Sequence, residues 1–261
     1  MDVLVVCVVS LAASALTLFS GFGLGTILAP TFALFFPVAT AVAMAAAVHL
    51  ASNLFKIGLV GRDADRSVVV RFGLPATLAA MAGATLLAAL STLVPVHAYE
   101  LMGRTREVTP VKASIGLVIA VFALLELSPA FARLAVPRRW LPLGGVLSGF
   151  FGGLSGNQGA LRSAFLVKAG LSKESYVGTS AVCAVMVDVA RLVVYGVSVP
   201  AIWVDHLRGH AGQMALAAML SAFVGALLGK RWLHKVTLRT VELVVAVAMA
   251  LIGVALASGL A

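Results

Sequence analysis

The chain has 261 residues, 61% of them hydrophobic and 11% charged, with a mean hydropathy of +1.08. A soluble domain of this size cannot hide that much apolar surface, so the composition excludes a soluble globular protein and specifies an all-α polytopic membrane protein. The formal charge of +9 does not point to nucleic acid. The basic residues sit in short connections between apolar stretches, the pattern that orients helices in a bilayer.

In chain order the apolar stretches cover residues 3–36, 39–60, 72–93 and 111–127, then 140–169, 175–197, 214–228 and 241–257. The start, M-D-V-L, lacks the basic residues of a secretory leader, so residues 3–20 are read as mature structure. The connections carry the charge: R-D-A-D-R at 62–66, G-R-T-R-E at 103–107, V-P-R-R-W at 136–140 and G-K-R-W-L-H-K at 229–235. None is long enough for a separate soluble domain, so residues 1–261 are read as one membrane domain. Cys7 and Cys183 both lie in apolar stretches and read as small buried hydrophobes, not as a disulfide or a metal site. There is no Walker A loop, no H-E-x-x-H pair and no G-x-S-x-G elbow. The sequence therefore indicates no ATP-driven step, no enzyme, no cofactor and no metal.

The first stretch of each half is interrupted. Residues 20–25 read S-G-F-G-L-G, and 148–153 read S-G-F-F-G-G. From Gly152 to Gly159 there are four glycines in eight residues, with Ser155, Asn157 and Gln158 among them. Glycine disfavours helix by roughly 1 kcal/mol per residue, so a break is expected over this span. Beyond it the halves align with an offset of 135: Asn53 falls on Asp188, Lys56 on Arg191 and Gly61 on Gly196, and Gly83 then matches Gly225. The chain is thus read as two repeats, approximately 1–130 and 138–261, each of about four apolar segments, the first segment broken or re-entrant. Small-residue pairs at Gly21/Gly25, Ala79/Gly83, Gly149/Gly153 and Gly225/Gly229 suit close helix packing.

Charge bears on the choice between broken and re-entrant. If both interrupted segments return to their own side, one side collects Arg62, Arg66, Arg71, Arg133, Arg138, Arg139, Lys168, Lys173, Lys230, Arg231, Lys235 and Arg239, and the other Arg104, Arg106, Lys112 and Arg208. If both segments cross, the split becomes nearly even. The positive-inside rule favours the re-entrant case, with the two halves inverted. Eight full crossings in parallel repeats is the alternative.

Arg162 stands out among residues that could carry chemistry. It is flanked by Leu161, Ala164, Phe165 and Leu166, with no acid within four residues. An arginine at a membrane helix centre costs about 2.5–3.5 kcal/mol on insertion scales. Asn157, Gln158 and Ser163 surround the break beside it, with a competing reading as cap and turn residues. His49, Asn53 and Lys56 stand at i, i+4 and i+7, one helical face, and Asp188, Arg191 and Tyr195 at i, i+3 and i+7, another. The competing reading of Asp188 and Arg191 is a structural ion pair. Lys56 could instead snorkel, and His49 could be a hydrogen-bonded core residue. Glu126 and Glu242 read as solvated helix ends. Three embedded cations against one embedded acid suit an anion, and the helix starts beside Gly25 and Gly153 would add backbone amides.

S-G-F-G-L-G-T-I-L-A-P at 20–30 followed by A-T-A-V-A-M at 39–44, and S-G-F-F-G-G-L-S-G at 148–156 followed by V-G-T-S-A-V at 177–182, resemble the two repeats of the sulfite exporter TauE/SafE family of membrane transporters. The resemblance covers nearly the whole chain. It implies transport of small oxo-sulfur or organic anions across the bacterial inner membrane, with Gly21–Gly25, Gly149–Gly153, Thr179 and Ser180 as the matching positions. The run G-N-Q-G-A-L-R departs from the family's usual apolar, proline-containing helix; Pro30 keeps that proline in the first half only. The expected function is a secondary transporter or facilitator for a small anion. The alternative is a membrane accessory protein that binds a partner and moves nothing. A coupled proton or sodium ion and a homodimer stay open, and nucleic acid is not a partner.

Overall fold

The computed structural model describes residues 2–20, 24–101, 103–132, 134, 136–167, 169–198, 209–232 and 238–260. The first half contains α1 (Asp2–Ser20), α2 (Leu24–Ala33), α3 (Val38–Val60), α4 (Arg66–Ser91) and α5 (Pro110–Leu127). The second contains α6 (Leu141–Ser155), α7 (Gly159–Leu166), α8 (Lys173–Ser198), α9 (His210–Trp232) and α10 (Leu238–Ala257). Among the described residues, segments of α3, α4, α5, α8 and α9 are long and apolar enough to cross a membrane, and α10 has 20 residues. A helix satisfies its own backbone, which lipid requires. Large apolar side chains such as Leu78, Leu117, Leu124 and Leu251 are exposed on the outside, whereas His49, Asn53, Lys56, Asn157, Arg162, Asp188 and Arg191 are buried. This is a multi-pass membrane protein.

Helix ends follow local chemistry. Asp65 caps the start of α4, its carboxylate accepting from the Val68 amide at 3.0 Å. Thr109 caps α5, with Pro110 in the first turn, where a missing N–H does no harm. Between α4 and α5 lies an element the sequence reading took for a charged loop: the antiparallel hairpin β1 (His97–Leu101) and β2 (Arg104–Val108), with Tyr99 opposite Arg106. The Tyr99 hydroxyl donates to the Ser258 carbonyl at 2.7 Å and Arg106 to that of Leu260 at 2.8 Å, which ties the hairpin to the end of α10.

The break in the second half is shorter than expected. Gly152 and Gly153 are helical, and α6 continues to Ser155. Gly156, at φ 85°, stops it in the left-handed region that glycine occupies freely. α7 then folds back along α6. A β-carbon at Gly144 would run into the Phe165 ring, the Ser148 hydroxyl donates to the Gln158 carbonyl at 2.8 Å, and the Val136 amide donates to Ala164 at 3.3 Å. The expected first-half break at Gly21 lies outside the described residues, but its flanks also fold back. Asp2 at the start of α1 is 3.3 Å from His210, and the Phe36 ring beyond α2 lies 6.3 Å from the same His210 ring.

The two hairpins open toward opposite ends of the bundle. Asp2, Phe36, His210, the β-hairpin and Ser258 share one end. Asp65, its partner Arg138 at 3.4 Å, and Thr179, which accepts from the Asp65 amide at 2.9 Å, share the other with the mouth of the α6–α7 hairpin. The tips meet in between, where a β-carbon on Gly25 would stand 3.2 Å from the Gly156 carbonyl oxygen.

Packing between the halves is reciprocal. α4 packs on α6 and α1 on α9, α3 packs on α8, and α5 on α10. Gly149 and Gly153 of α6 lie against the backbone of Ala76 and Ala80 in α4, Gly83 of α4 lies against Phe150, and Gly225 of α9 lies against Leu11 of α1. These small residues let backbones touch. Gly149→Ala would push a methyl into the Ala76 carbonyl. Overpacking of this kind costs roughly 1–3 kcal/mol, so thermal melting of the purified variant should show a clear loss of stability, whereas Gly58→Ala, with open space around it, should melt like the parent.

Candidate functional site

A buried polar network fills the region where the hairpin tips meet α3 and α8. The helical periodicity of α3 aligns His49, Asn53 and Lys56, each less than 7% exposed, while Asp188 and Arg191 of α8 are fully buried. His49 Nδ1 and Asp188 Oδ2 are 2.7 Å apart, joining the two helices. The Asn53 amide donates to the His49 carbonyl at 2.8 Å and lies 3.1 and 3.2 Å from the two ring nitrogens. Lys56, one turn further along the same face, is buried as well.

Asp188 is the hub. Its Oδ1 accepts from Arg191 Nε at 3.1 Å and Nη2 at 2.6 Å, and from Gln158 Nε2 at 3.0 Å. Arg191 also donates from Nη1 to the Gly152 carbonyl at 3.0 Å, and the Tyr195 hydroxyl donates to the Gly153 carbonyl. Both oxygens belong to the last turn of α6, where the Gly152 carbonyl also accepts from the Gly156 amide at 3.0 Å, so α8 helps to cap the arm that ends at the tip.

Gln158 connects this hub to Arg162. Its Oε1 accepts from Arg162 Nη1 at 3.0 Å, while its Nε2 faces Asp188. That orientation is the one in which the amide offers an acceptor to the cation and a donor to the anion. Arg162, 2% exposed, also donates from Nε to the Ser180 hydroxyl at 2.8 Å. Both of these partners are neutral. Arg162 is therefore held in the interior and does not snorkel to a helix end.

Asn157 is 1% exposed, and neither its amide nitrogen nor its amide oxygen has a hydrogen-bond partner among the described residues; the Ser52 hydroxyl beside Asn53 is in the same state. Buried polar atoms normally find partners, and among the described residues these two do not. Gly25 lies against the His49 ring and Gly156, with its backbone next to the network.

Not every sequence candidate joins. The Ser163 hydroxyl donates to the Ala160 carbonyl of its own helix at 2.8 Å, and Thr179 is engaged by the Asp65 amide. Gly153 takes part through its carbonyl, from within a helix and not from an unwound segment. The residue reading from side-chain chemistry missed Ser180, which the family resemblance alone had brought in. A pattern signal existed: Ser180, Ala184, Asp188, Arg191 and Tyr195 form a continuous stripe on one face of α8. Cys7 and Cys183 are free thiols. Among the described residues no cluster of His, Cys, Asp and Glu is arranged to hold a metal ion.

The network thus places charged and neutral donors in a buried interior where the two hairpin tips meet α3 and α8. Residues 6–256 match the family model described as sulfite exporter TauE/SafE. No curated protein matches the chain. A match over nearly the full length, on a bundle of apolar helices with two opposed hairpins, means that the chain belongs to the sulfite exporter TauE/SafE family of membrane transporters.

Proposed function

We infer that the chain is a secondary transporter or facilitator that carries a small anion, sulfite, a sulfonate or a related oxo-anion, across the bacterial inner membrane. The observation that carries this reading is the charge of the interior. Among the described residues the buried charged side chains are Lys56, Arg162 and Arg191 against Asp188 alone. Asp188 is committed to Arg191 and His49, so the excess of positive charge lies toward Arg162 and Lys56. An anion between the hairpin tips would meet Arg162, Lys56 and the unpartnered amide of Asn157. A protein that only docks a partner has no use for an interior whose buried charge is mostly positive, because buried cations are costly in a membrane.

The two halves, 1–130 and 138–261, act in this reading as inverted repeats. The hairpins enter from opposite ends, α2 and α3 begin at 24 and 38, and α7 and α8 begin at 159 and 173, the same offset of 135 in both. Inverted repeats supply the two related conformations that alternating access needs. The end bearing Asp65 and Arg138 is cytoplasmic by the basic excess of its connections. A cysteine placed at Arg138 should be protected from an impermeant thiol reagent in intact cells and react after lysis; labelling from outside would reverse the orientation.

The test of function is a thermal-shift screen of the purified protein against sulfite, sulfate, thiosulfate, sulfonates and carboxylates, followed by flux in proteoliposomes for any anion that stabilises. A ligand that binds only the folded state raises its stability by mass action. Stabilisation without flux would favour the accessory-protein alternative, and no stabilisation by any of these anions would remove the anion reading.

A further inference from the structure

Resting on the anion reading, we propose that His49 is a proton-binding site and that its proton travels with the anion, in the same direction. The geometry singles this residue out. Its ring lies across the α3–α8 seam, Nδ1 is 2.7 Å from Asp188 Oδ2 and 3.5 Å from the Gln158 amide of the second tip, and a β-carbon at Gly25 of the first tip would stand 3.4 Å from the ring. A change in its charge is therefore felt at both hairpin tips and across the joint between the two halves. Histidine is the side chain whose ordinary titration falls between about pH 5 and 8.

The groups around it fix the sign of the coupling. From α8 it faces Asp188 and, behind that, Arg191, with Tyr195 and Cys183 further along the same helix. From α7 it faces Arg162, held through Gln158. Lys56 lies on α3 itself, and α2 presents Gly25. The other elements packed on α3, namely α4, α5 and α9, add no buried charged side chain among the described residues.

In the neutral ring, Nδ1–H donates to Asp188 and Nε2 carries the lone pair. An arriving proton binds Nε2, no covalent bond is broken, the Asn53 amide loses its contact with that lone pair and keeps its bond to the His49 carbonyl, and the product is an imidazolium paired with the Asp188 carboxylate. The interior then holds one more positive charge. An anion seated near Arg162 and Lys56 is attracted by that charge and in turn favours it, since linkage between two ligands is reciprocal. Exchange of a proton for the anion would require the opposite sign: the incoming negative charge would have to expel the proton.

The test uses purified protein and isethionate, a sulfonate whose own charge does not change over the neutral range. Calorimetric titrations in two buffers of different ionisation enthalpy report protons taken up on binding. We expect uptake, with affinity rising as pH falls, by up to about tenfold per pH unit where one full proton is taken up. His49→Gln keeps an amide donor for Asp188 but cannot titrate, and should bind without proton uptake and with flat pH dependence. Binding of isethionate by the parent protein with no proton uptake at any pH overturns the proposal and leaves the anion reading standing, and this arm decides even if His49→Gln does not fold. Uptake that persists in His49→Gln also overturns it. Failure of isethionate to bind at any pH overturns this proposal, and failure of every anion in the screen removes the anion reading with it.

Discussion

Asp188→Ala should cost more stability than any other single truncation in the polar network. The carboxylate is fully buried and accepts from Arg191 twice, from Gln158 and from His49. Truncation leaves the buried Arg191 guanidinium without its carboxylate, held by the neutral Gly152 carbonyl, and strands the Gln158 amide. Breaking a buried pair from one side costs roughly 3–5 kcal/mol. In a membrane the low end of that range applies, because the loosened helices still find polar partners. Asp188→Asn keeps the shape and one acceptor and should lose less. Asp188→Ala combined with Arg191→Met removes both charges and should recover much of the loss, since an apolar replacement of a whole buried pair is often neutral. Melting of the three variants in one detergent gives the order directly. A parent-like melting temperature for Asp188→Ala would mean that the pair contributes little to holding α3, α6 and α8 together.

How much of this site the sequence shows depends on the range of the interaction that makes it. His49, Asn53 and Lys56, and Asp188, Arg191 and Tyr195, were visible as faces because helical periodicity is local. The Asp188–Arg191 pair was legible for the same reason, being one turn apart. Their joining through His49 and Asp188 was not, because it depends on α3 meeting α8 across 139 residues. The position of the break was misjudged from glycine count. Gly149 and Gly153 stay helical because they lie against α4, where a side chain would not fit, and glycine content alone cannot separate a close-packed helix from an unwound one. The helices that follow the breaks start at 24 and 159, 135 residues apart, the offset also read from Asn53 and Asp188, whereas the echo between 20–25 and 148–153 implies an offset of 128. The β-hairpin was hidden by its charges, Arg104, Arg106 and Glu107, which read as a solvated loop although Tyr99, Leu101 and Val108 suit a strand. Ser163 illustrates a limit in the other direction. It adjoins Arg162 in sequence, and on a helix adjacent residues do not share a face.

Arg162→Ala should abolish anion flux while leaving a folded, membrane-inserted protein. Two opposed terms set its stability. Truncation leaves Gln158 Oε1 and the Ser180 hydroxyl each short of a donor, and an unsatisfied buried polar atom costs about 1–3 kcal/mol. Against this, one of three buried cations disappears from a region holding one buried carboxylate, and relief of a membrane-embedded arginine is worth about 2.5–3.5 kcal/mol on insertion scales. The terms are of similar size, so the melting temperature should move little, in contrast to Asp188→Ala. Transport has no such compensation, because the charge that attracts the anion is lost. Arg162→Lys separates two ways of holding the ligand. A guanidinium that grips an oxyanion through two parallel N–H groups loses most of its affinity when replaced by an ammonium, whereas a simple point charge keeps much of it. Melting temperature and proteoliposome flux must be measured on the same preparations. Retained flux with a large drop in melting temperature would make Arg162 a structural residue that braces the α7 tip against α8, and the anion would then have to be held elsewhere, with Lys56 and Asn157 the next residues to replace.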